Sequence, residues 1–173
     1  MLDIIYKRKS IRQFSPRTVT DEIIEKIIRA GMQAPSSGNS QPWEFVVIRN
    51  RNTLRKITEF HSYSQCLKMV NAAVVVCANL SREIFKGFWV QDCSACVQNM
   101  LLAVESIKGE DDLELGSVWL GIYPVAERVS GLRELLSLPE DVVPFAVLPV
   151  GYKGEKKNST DNFKPERIHL EKW

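Results

Sequence analysis

The chain has no apolar run of the roughly 20 residues needed to cross a lipid bilayer. Its 173 residues also have no large charge excess, with 23 Lys and Arg against 21 Asp and Glu. That balance, and the absence of a recognition motif, argue against nucleic-acid binding. The first residues are too short in their apolar part, and too charged after it, for a signal peptide. We therefore expect a cytoplasmic protein with no membrane or nucleic-acid partner.

Residues that ligate metals are scarce, with two histidines and four cysteines. Cys93 and Cys96 form a C-x-x-C pattern, which raises the question of redox or metal chemistry. A tetrahedral metal site needs two further ligands, and Cys66 and Cys77 do not form a matching pair. With no export signal, free thiols are the expectation. We interpret the cysteines as small core residues and predict no metal site.

The composition is typical of a globular protein, with 45% hydrophobic and 25% charged residues. The length suits one domain, so we predict a single domain over residues 1–173. Apolar spacing, caps and valine-rich runs together indicate a mixed α/β fold. Helices are predicted over residues 2–7, 21–33, 51–60, 64–69, 89–107, 124–130 and 131–136, and strands over 44–49, 72–78, 115–122 and 145–150.

The helix predicted over residues 89–107 carries apolar side chains around its whole circumference. A helix of this kind must be buried, either in a core or against a second chain. Because it is also the longest predicted helix, it favours a homodimer.

A short basic stretch, Arg8, Lys9, Ser10 and Arg12, follows the first helix. In an extended loop, positions 8, 10 and 12 project to the same side. Two guanidinium groups flanking a hydroxyl can surround a phosphate, because arginine presents paired donors in a fixed fork. Taken alone, the favoured alternative is a solvated helix end with exposed cations.

A polar loop, PSSGNSQPW (residues 35–43), lies between a predicted helix and a predicted strand. Its Ser, Asn and Gln side chains offer the mixed donors and acceptors that suit an uncharged heteroaromatic edge. Gly38 permits a turn or a close backbone approach. The alternative is an ordinary turn, since every residue type here is a turn former.

Ordered segments along nearly the whole chain resemble the nitroreductase family of flavoproteins. RKSIRQF (8–14) is similar to the family's phosphate-contact motif, and APSSGNSQPWEFVVI (34–48) to its second motif. The resemblance implies an α+β nitroreductase-like FMN-binding fold, with a central, mainly antiparallel sheet surrounded by helices, in an obligate dimer. It continues through KMVNAAVVVCAN (68–79), QDCSACVQNMLLAVES (91–106), LGSVWLGIYP (115–124) and PEDVVPFAVLPVGY (139–152).

The resemblance also implies which residues bind FMN. Arg8, Ser10 and Arg12 would contact the phosphate and ribityl chain, Lys9 would contribute backbone, and the carboxyl-terminal cations would close the phosphate site. The polar loop would reach the flavin bound mainly by the other subunit, with Gln41 supporting the loop or meeting the ring edge. The residues implied in these two groups are Arg8, Lys9, Ser10, Arg12, Lys164 and Arg167, and Pro35, Ser36, Ser37, Asn39 and Gln41.

Four further positions are implied at the flavin ring. Gln65 and Lys68 match positions that address its pyrimidine side, where a lysine stabilises the negative charge that builds up on reduction. The alternative for Lys68 is a plain surface lysine. Leu120 and Gly121 would lie near the dimethylbenzene or N5 side, largely through backbone.

The function implied is transfer of hydride from NADH or NADPH through FMN to a nitroaromatic, quinone or similar electron-poor acceptor, in a ping-pong mechanism. No catalytic side chain is nominated, because the protein has only to stack the two reactants in turn over the flavin. The alternatives are dehalogenation or enoate reduction on the same fold, or a non-catalytic FMN-binding or electron-carrier module. The acidic segment SIKGEDDLELGSVW departs from the family pattern and leaves the geometry near Trp119 open.

Overall fold

The computed structural model describes residues 2–158 and 160–173. Helices and strands alternate along the chain without forming regular β-α-β units. The helices are α1 (Leu2–Lys7), α2 (Asp21–Gly31), α3 (Arg51–Phe60), α4 (Trp89–Ser106) and α5 (Ala126–Leu136). The strands are β1 (Trp43–Ile48), β2 (Ala72–Asn79), β3 (Leu115–Ser117), β4 (Leu120–Gly121) and β5 (Val142–Tyr152).

The strands form one sheet in the order β1-β2-β5-β3, and β4 pairs with β5 beside β3. Every strand pair is antiparallel. The valine-rich strand β2 lies in the interior and is covered on both faces, as expected for a continuous apolar run. The prediction of an α+β fold with a mainly antiparallel central sheet is therefore confirmed.

Strand β5 is longer than predicted at both ends. It runs through Pro144 and Pro149, and Pro144 pairs with Cys77 where the register with β2 shifts. Gly151 does not end the strand, because the glycine makes room for a neighbouring ring: a Cβ there would lie 2.8 Å from Phe14. In the sequence Gly151 looks like the end of a strand, but in the structure it is a packing position inside β5.

The two helices predicted over residues 124–136 are in fact the single helix α5. Gly131 lies inside it, and a Cβ at that position would lie 2.7 Å from a ring carbon of Phe60. The glycine therefore lets α3 pack closely against α5. The segment predicted as helical over 64–69 is a 3₁₀ helix, Ser62–Lys68, and the predicted strand 115–122 is divided into β3 and β4.

The sheet separates two apolar clusters. One contains side chains of α2 and α4, and the other contains side chains of α3 and α5. Within α4, Gln91 and Gln98 are exposed while Val90 and Leu102 are half-buried, so the chain's own core covers this side of the helix only in part. Across residues 2–158 and 160–173, no helix combines the length and hydropathy needed to cross a membrane.

Candidate functional site

The basic loop (residues 8–13) leaves α1 and lies against the sheet. The backbone N–H of Ile11 donates to the carbonyl of Ser117 at 2.9 Å, which fixes the loop at the end of β3. The Ile11 side chain is only 1% exposed. A Cβ on Gly116 would lie 2.8 Å from the Cβ of Ile11, so the two backbones approach too closely for a larger residue. A buried aliphatic side chain thus anchors the loop.

The segment after β5 holds the other side of the basic loop. The Glu155 carboxylate accepts the backbone N–H groups of Arg12 at 2.7 Å and of Gln13 at 3.2 Å. The hydrogen bond from Arg12 is the main reason that the pKa of Glu155 lies below its ordinary value. The Lys157 ammonium donates to the carbonyl of Ser10 at 2.7 Å and lies 3.3 Å from the Glu155 carboxylate. Backbone groups of the loop are therefore satisfied within the chain.

The charged side chains of the basic loop are engaged differently. Lys9 donates to the carbonyl of Tyr6 at 3.2 Å. Among residues 2–158 and 160–173, the guanidinium groups of Arg8 and Arg12 make no hydrogen bond or ion pair with the protein. Their donors are therefore available to an anion.

The polar loop (residues 35–43) forms a tight turn before β1. The Ser36 hydroxyl accepts the backbone N–H of Gln41 at 3.0 Å, and the Asn39 side-chain oxygen accepts the Gln41 amide at 2.9 Å. Gly38, Asn39 and Gln41 all have positive φ, at 58°, 56° and 46°. The turn is therefore tightly defined, and Asn39 and Gln41 remain exposed at its surface.

A carboxylate that the sequence reasoning missed holds this loop. Asp92 accepts the backbone N–H of Ser37 at 2.9 Å and the hydroxyl of Ser40 at 3.3 Å. Its side chain is buried on α4, at 5% exposure. An acidic residue near the start of a mostly apolar helix was the available signal, because a buried carboxylate needs donors.

Arg12 and Gln65 share a small cavity of about 280 Å³ with neighbouring polar and sulfur-bearing side chains. Lys68 ends the 3₁₀ helix that supplies Gln65 and is exposed. The lining of the cavity consists of Arg12, Gln13, Ser62, Tyr63, Gln65, Cys66 and Met69. The structure therefore brings one predicted phosphate residue close to one predicted ring residue.

A larger cavity, of about 980 Å³, adjoins the basic loop at Lys9 and Ile11 and includes only Lys9 of the predicted residues. Its wall contains Lys153, which pairs with Glu105 at 3.1 Å and with Glu114 at 3.2 Å. These bonds from Lys153 lower the pKa of Glu114. Arg17 and Lys157 of the same wall are also paired with carboxylates, whereas the guanidinium groups of Arg8 and Arg12 have no partner in the described part of the chain, which favours the basic loop as the anion site.

Gly121 lies at the free side of β4. In an antiparallel pair, the N–H and C=O groups of successive residues point alternately toward and away from the neighbouring strand. The N–H of Ile122 donates to the carbonyl of Phe145 in β5, so the N–H and C=O groups of Gly121 point away from β5. The Gly121 carbonyl accepts Arg128 at 2.9 Å, and no atom lies within 4 Å of where a Cβ would be. Leu120, by contrast, is buried. Gly121 therefore faces open space with its carbonyl held.

The Arg128 guanidinium also lies 5.9 Å from the ring centre of Tyr63. Beneath it, His61 is buried, and neither ring nitrogen has a hydrogen-bond partner in the described part of the chain. Burial, and secondarily the charge of Arg128, lower the pKa of His61. Sequence reasoning missed Arg128, since nothing in the pattern around an amphipathic helix distinguishes one arginine.

The carboxyl-terminal cations lie in an exposed stretch, residues 160–173. Its hydrogen bonds are local, such as that from the Arg167 N–H to the Lys164 carbonyl at 3.0 Å. Across residues 2–158 and 160–173, no hydrogen bond or ion pair joins the side chains of Lys164 and Arg167 to the basic loop. Their role at the phosphate therefore stays a prediction.

The four cysteines are free and buried. Burial raises the pKa of Cys77 and Cys96 to about 12, and it also raises the pKa of Cys66 and Cys93. Thiols with a raised pKa are poor nucleophiles. Cys93 and Cys96 of the C-x-x-C pattern therefore pack in the core.

Five aromatic residues in the segments 60–63 and 85–89 divide into two groups. Trp89 is buried, and Phe60 packs on Gly131, whereas Tyr63, Phe85 and Phe88 are exposed. Only the exposed three remain available to a ligand or a second chain.

The comparisons with known proteins match most of the chain. The sequence model of the Nitroreductase family matches residues 5–64 and 61–152. A protein of Methanothermobacter thermautotrophicus, provisionally named NADH dehydrogenase/NAD(P)H nitroreductase, is 48% identical over all of this chain and 87% of its own length.

Two solved structures have the same fold. One, from Parabacteroides distasonis and provisionally named NADH dehydrogenase/NAD(P)H nitroreductase, has a TM-score of 0.93 at 38% identity, covering 99% of this chain and 98% of its own. The other is a provisionally named nitroreductase of Desulfovibrio desulfuricans in complex with FMN, with a TM-score of 0.83 at 28% identity, covering 99% and 96%.

Proposed function

The chain belongs to the nitroreductase family, and we propose that it passes hydride from NADH or NADPH through FMN to nitroaromatic, quinone or similar electron-poor acceptors. One observation carries the proposal: the backbone of the basic loop is hydrogen-bonded within the chain, while the guanidinium groups of Arg8 and Arg12 have no hydrogen-bond or ion-pair partner among residues 2–158 and 160–173. We further infer a single domain over residues 1–173 and a cytoplasmic location.

The basic loop fits the phosphate of FMN. A phosphate dianion is best bound by guanidinium forks together with hydroxyl donors, and Arg8, Ser10 and Arg12 supply this set. Glu155 and Lys157 hold the loop backbone in place, so the donors need little rearrangement to bind. Lys9 would contribute its backbone, and Lys164 and Arg167 would add positive charge around the same anion.

The edge of β4 fits a flavin ring. Gly121 presents its backbone to open space without a side chain, so a flat ring can approach closely. Its N–H points to the same free side as its carbonyl, away from β5. Arg128 holds the carbonyl and thereby the orientation of the peptide. Leu120 would contribute mainly backbone.

Gln65 and Lys68 would address the pyrimidine edge of the ring. Gln65 shares its cavity with Arg12, which supports a ligand extending from the phosphate toward this edge. The exposed ammonium of Lys68 would favour the negative charge that collects at the N1 and C2-oxygen edge. No side chain is proposed as a proton donor or nucleophile, because the two substrates need only to be stacked in turn.

The site is proposed to be completed by a second copy of the chain. In the described part of the chain, no hydrogen bond joins the polar loop to the basic loop, to Gln65 or to Lys68. Pro35, Ser36, Ser37, Asn39 and Gln41 would therefore reach the flavin held by the partner. The exposed tail supports the homodimer, because it carries four unburied apolar side chains that a second chain can cover. These are Phe163, Ile168, Leu170 and Trp173.

FMN held by these residues would supply a two-electron carrier between the nicotinamide and the second substrate. The ping-pong order follows, because nicotinamide and acceptor would use the same open face in turn. The tail and the polar loop would shield that face from bulk water.

The test is an anaerobic absorbance titration of the purified dimer. We expect a yellow protein with two FMN per dimer that NADH or NADPH bleaches, and whose colour returns when a quinone or nitroaromatic is added. Failure to bind FMN would overturn the cofactor assignment.

Two other outcomes of this titration identify the alternative functions. Slow bleaching by both nicotinamides, with fast reduction by another donor, would indicate dehalogenation or enoate chemistry. Bound FMN that oxidises neither nicotinamide in the presence of any acceptor would indicate an electron-carrier or binding module.

A further inference from the structure

Asp92 is a buried carboxylate whose side-chain hydrogen bonds, in the part of the chain that the structure describes, all come from the polar loop. Its two oxygens accept the Ser37 backbone N–H and the Ser40 hydroxyl. A charge at 5% exposure is costly to bury unless donors compensate it. Here both compensating donors come from one loop, which indicates that the carboxylate and the loop form one unit.

The loop needs such support because its backbone is unfavourable. Asn39 and Gln41 adopt positive φ without being glycine, which is uncommon for L-residues. Gly38 also has a positive φ, which glycine adopts at little cost, and a Cβ there would lie 2.9 Å from the ring of Phe85. The hydrogen bonds to Asp92 therefore hold a conformation that the sequence alone does not favour.

We propose that Asp92 is a positioning residue that acts on the site of the partner subunit. By fixing the polar loop of its own chain, it sets how tightly the other chain's FMN is bound. This inference rests on the proposed function, in which the polar loop reaches the flavin held by the second copy. It also makes α4 the element that connects the two sites of the dimer.

Replacing the carboxylate separates hydrogen bonding from packing. Asp92→Leu removes both acceptors at similar size, and we expect FMN to bind about tenfold to a hundredfold more weakly, as hydrogen bonds to a charged group imply. Asp92→Asn should restore most of the affinity, because its oxygen can accept from Ser37 and its amide can donate to Ser40. FMN affinity is measured by quenching of flavin fluorescence, and dimer content by analytical ultracentrifugation.

Glu83 provides the matched control. Its carboxylate accepts the backbone N–H groups of Gly87 and Trp89 at the start of the same helix but makes no bond to the polar loop. Glu83→Gln should leave FMN affinity within about twofold. If Asp92→Leu fails to fold, Ser40→Ala removes one of the two bonds at a half-buried position and should weaken binding a few-fold. Unchanged affinity in Ser40→Ala and Asp92→Leu alike would overturn the proposal.

Mixed dimers test the action on the partner. One chain carries Asp92→Leu, and the other carries Arg8→Glu and Arg12→Glu, which should abolish phosphate binding in its own site. If Asp92 acts on the partner's site, both defects fall on the same flavin, and the mixed dimer keeps one intact site. At an FMN concentration between the dissociation constants of wild type and Asp92→Leu, we expect one FMN per mixed dimer and almost none in either parent.

The other outcomes are also decisive. No FMN in the mixed dimer would mean that Asp92 acts on its own chain's site and would overturn the inference, while the yellow wild-type control keeps the proposed function. FMN retained in the Arg8→Glu, Arg12→Glu parent would overturn the phosphate assignment, and with it the two-chain site on which the inference depends.

Discussion

The basic loop and the polar loop are both short segments proposed to contact the same cofactor, but they are held by opposite means. The basic loop has the buried side chain of Ile11 at its centre, and the hydrogen bonds of its backbone to the charged side chains of Glu155 and Lys157 lie at the periphery. Within the polar loop, the turn from Ser36 to Gln41 contains no buried apolar side chain in the described structure and is held by the carboxylate of Asp92; the loop becomes buried only at Pro42 and Trp43, where β1 begins.

This difference predicts different consequences when each anchor is lost. Removing an apolar anchor exposes a cavity in the core, so the cost appears mainly in the free energy of unfolding. Removing a polar anchor releases a turn at the surface, so the cost appears mainly in FMN affinity. The basic loop is thus part of the fold, and the polar loop is an attachment to it.

The largest effect is expected from Ile11→Ala. Truncating a fully buried isoleucine should lower the free energy of unfolding by about 3 kcal/mol, through lost burial and an unfilled cavity. Urea denaturation of the FMN-free protein, at one fixed protein concentration, measures the change. Ile11→Val should cost only about 1 kcal/mol.

The comparison depends on the matching variant at the polar loop. Phe85 packs near Gly38 but is more than half exposed, so Phe85→Ala should cost less than about 1 kcal/mol. Equal destabilisation by Phe85→Ala and Ile11→Ala would contradict the contrast between the two loops.

A smaller effect is expected from Gly116→Ala. The added Cβ would lie 2.8 Å from Ile11, so the basic loop has to move away from β3. Overpacking of this kind costs about 2 kcal/mol. We also expect weaker FMN binding, because the loop carries Arg12 with it. Gly121→Ala is the control for added bulk in the same region of the sheet: nothing lies within 4 Å of its Cβ position, so the unfolding free energy should stay nearly unchanged.

How far the sequence predicted these loops follows from the same physics. Side-chain periodicity reports local burial, so it located α2, α3 and the valine-rich strand β2 to within a few residues. Periodicity failed where a residue is constrained by contact with a residue far away in the sequence. Gly131 and Gly151 read as breaks in the sequence, yet each makes room for an aromatic ring from elsewhere in the chain, Phe60 or Phe14.

The candidate site divides in the same way. The order of residues in the basic and polar loops was sufficient to nominate both, because their donors are contiguous in sequence. Asp92 and Glu155 lie 52 or more positions from the groups they hold, and Arg128 holds Gly121 across the start of a helix. Hydrogen bonds to backbone atoms leave no residue-type pattern in the sequence, so these supports became visible only in the fold.

An effect of about 1 kcal/mol is expected from Gly38→Ala. Alanine at a φ of 58° is strained by about that amount, and its Cβ would also press on the ring of Phe85, which is exposed and can move. The loss should therefore appear more clearly in FMN affinity than in stability. Gly87→Ala is the control, because Gly87 has a φ of 90° but no atom within 4 Å of its Cβ position. A loss of FMN affinity as large in Gly87→Ala would contradict a specific role for the polar loop.

The smallest effect is expected from the ionic support of the basic loop, and it depends on pH. Backbone donation from Arg12 holds the pKa of Glu155 below its ordinary value of 4.5, so the carboxylate is bound more favourably in the folded protein. Its contribution should be complete above that ordinary value and should be lost as the pH falls through the lower folded pKa. Because Glu155 and its partner Lys157 lie near the surface, we expect this support to contribute about 0.5 kcal/mol to the free energy of unfolding.

The measurement is the difference in unfolding free energy between wild type and Glu155→Gln in the FMN-free protein, from pH 7 down to about pH 3. The difference should stay constant to about pH 5 and shrink below pH 4.5. A difference that grows on acidification would mean that Glu155 is held in its protonated form, and the contrast between a peripheral ionic support and a buried carboxylate at Asp92 would then fail.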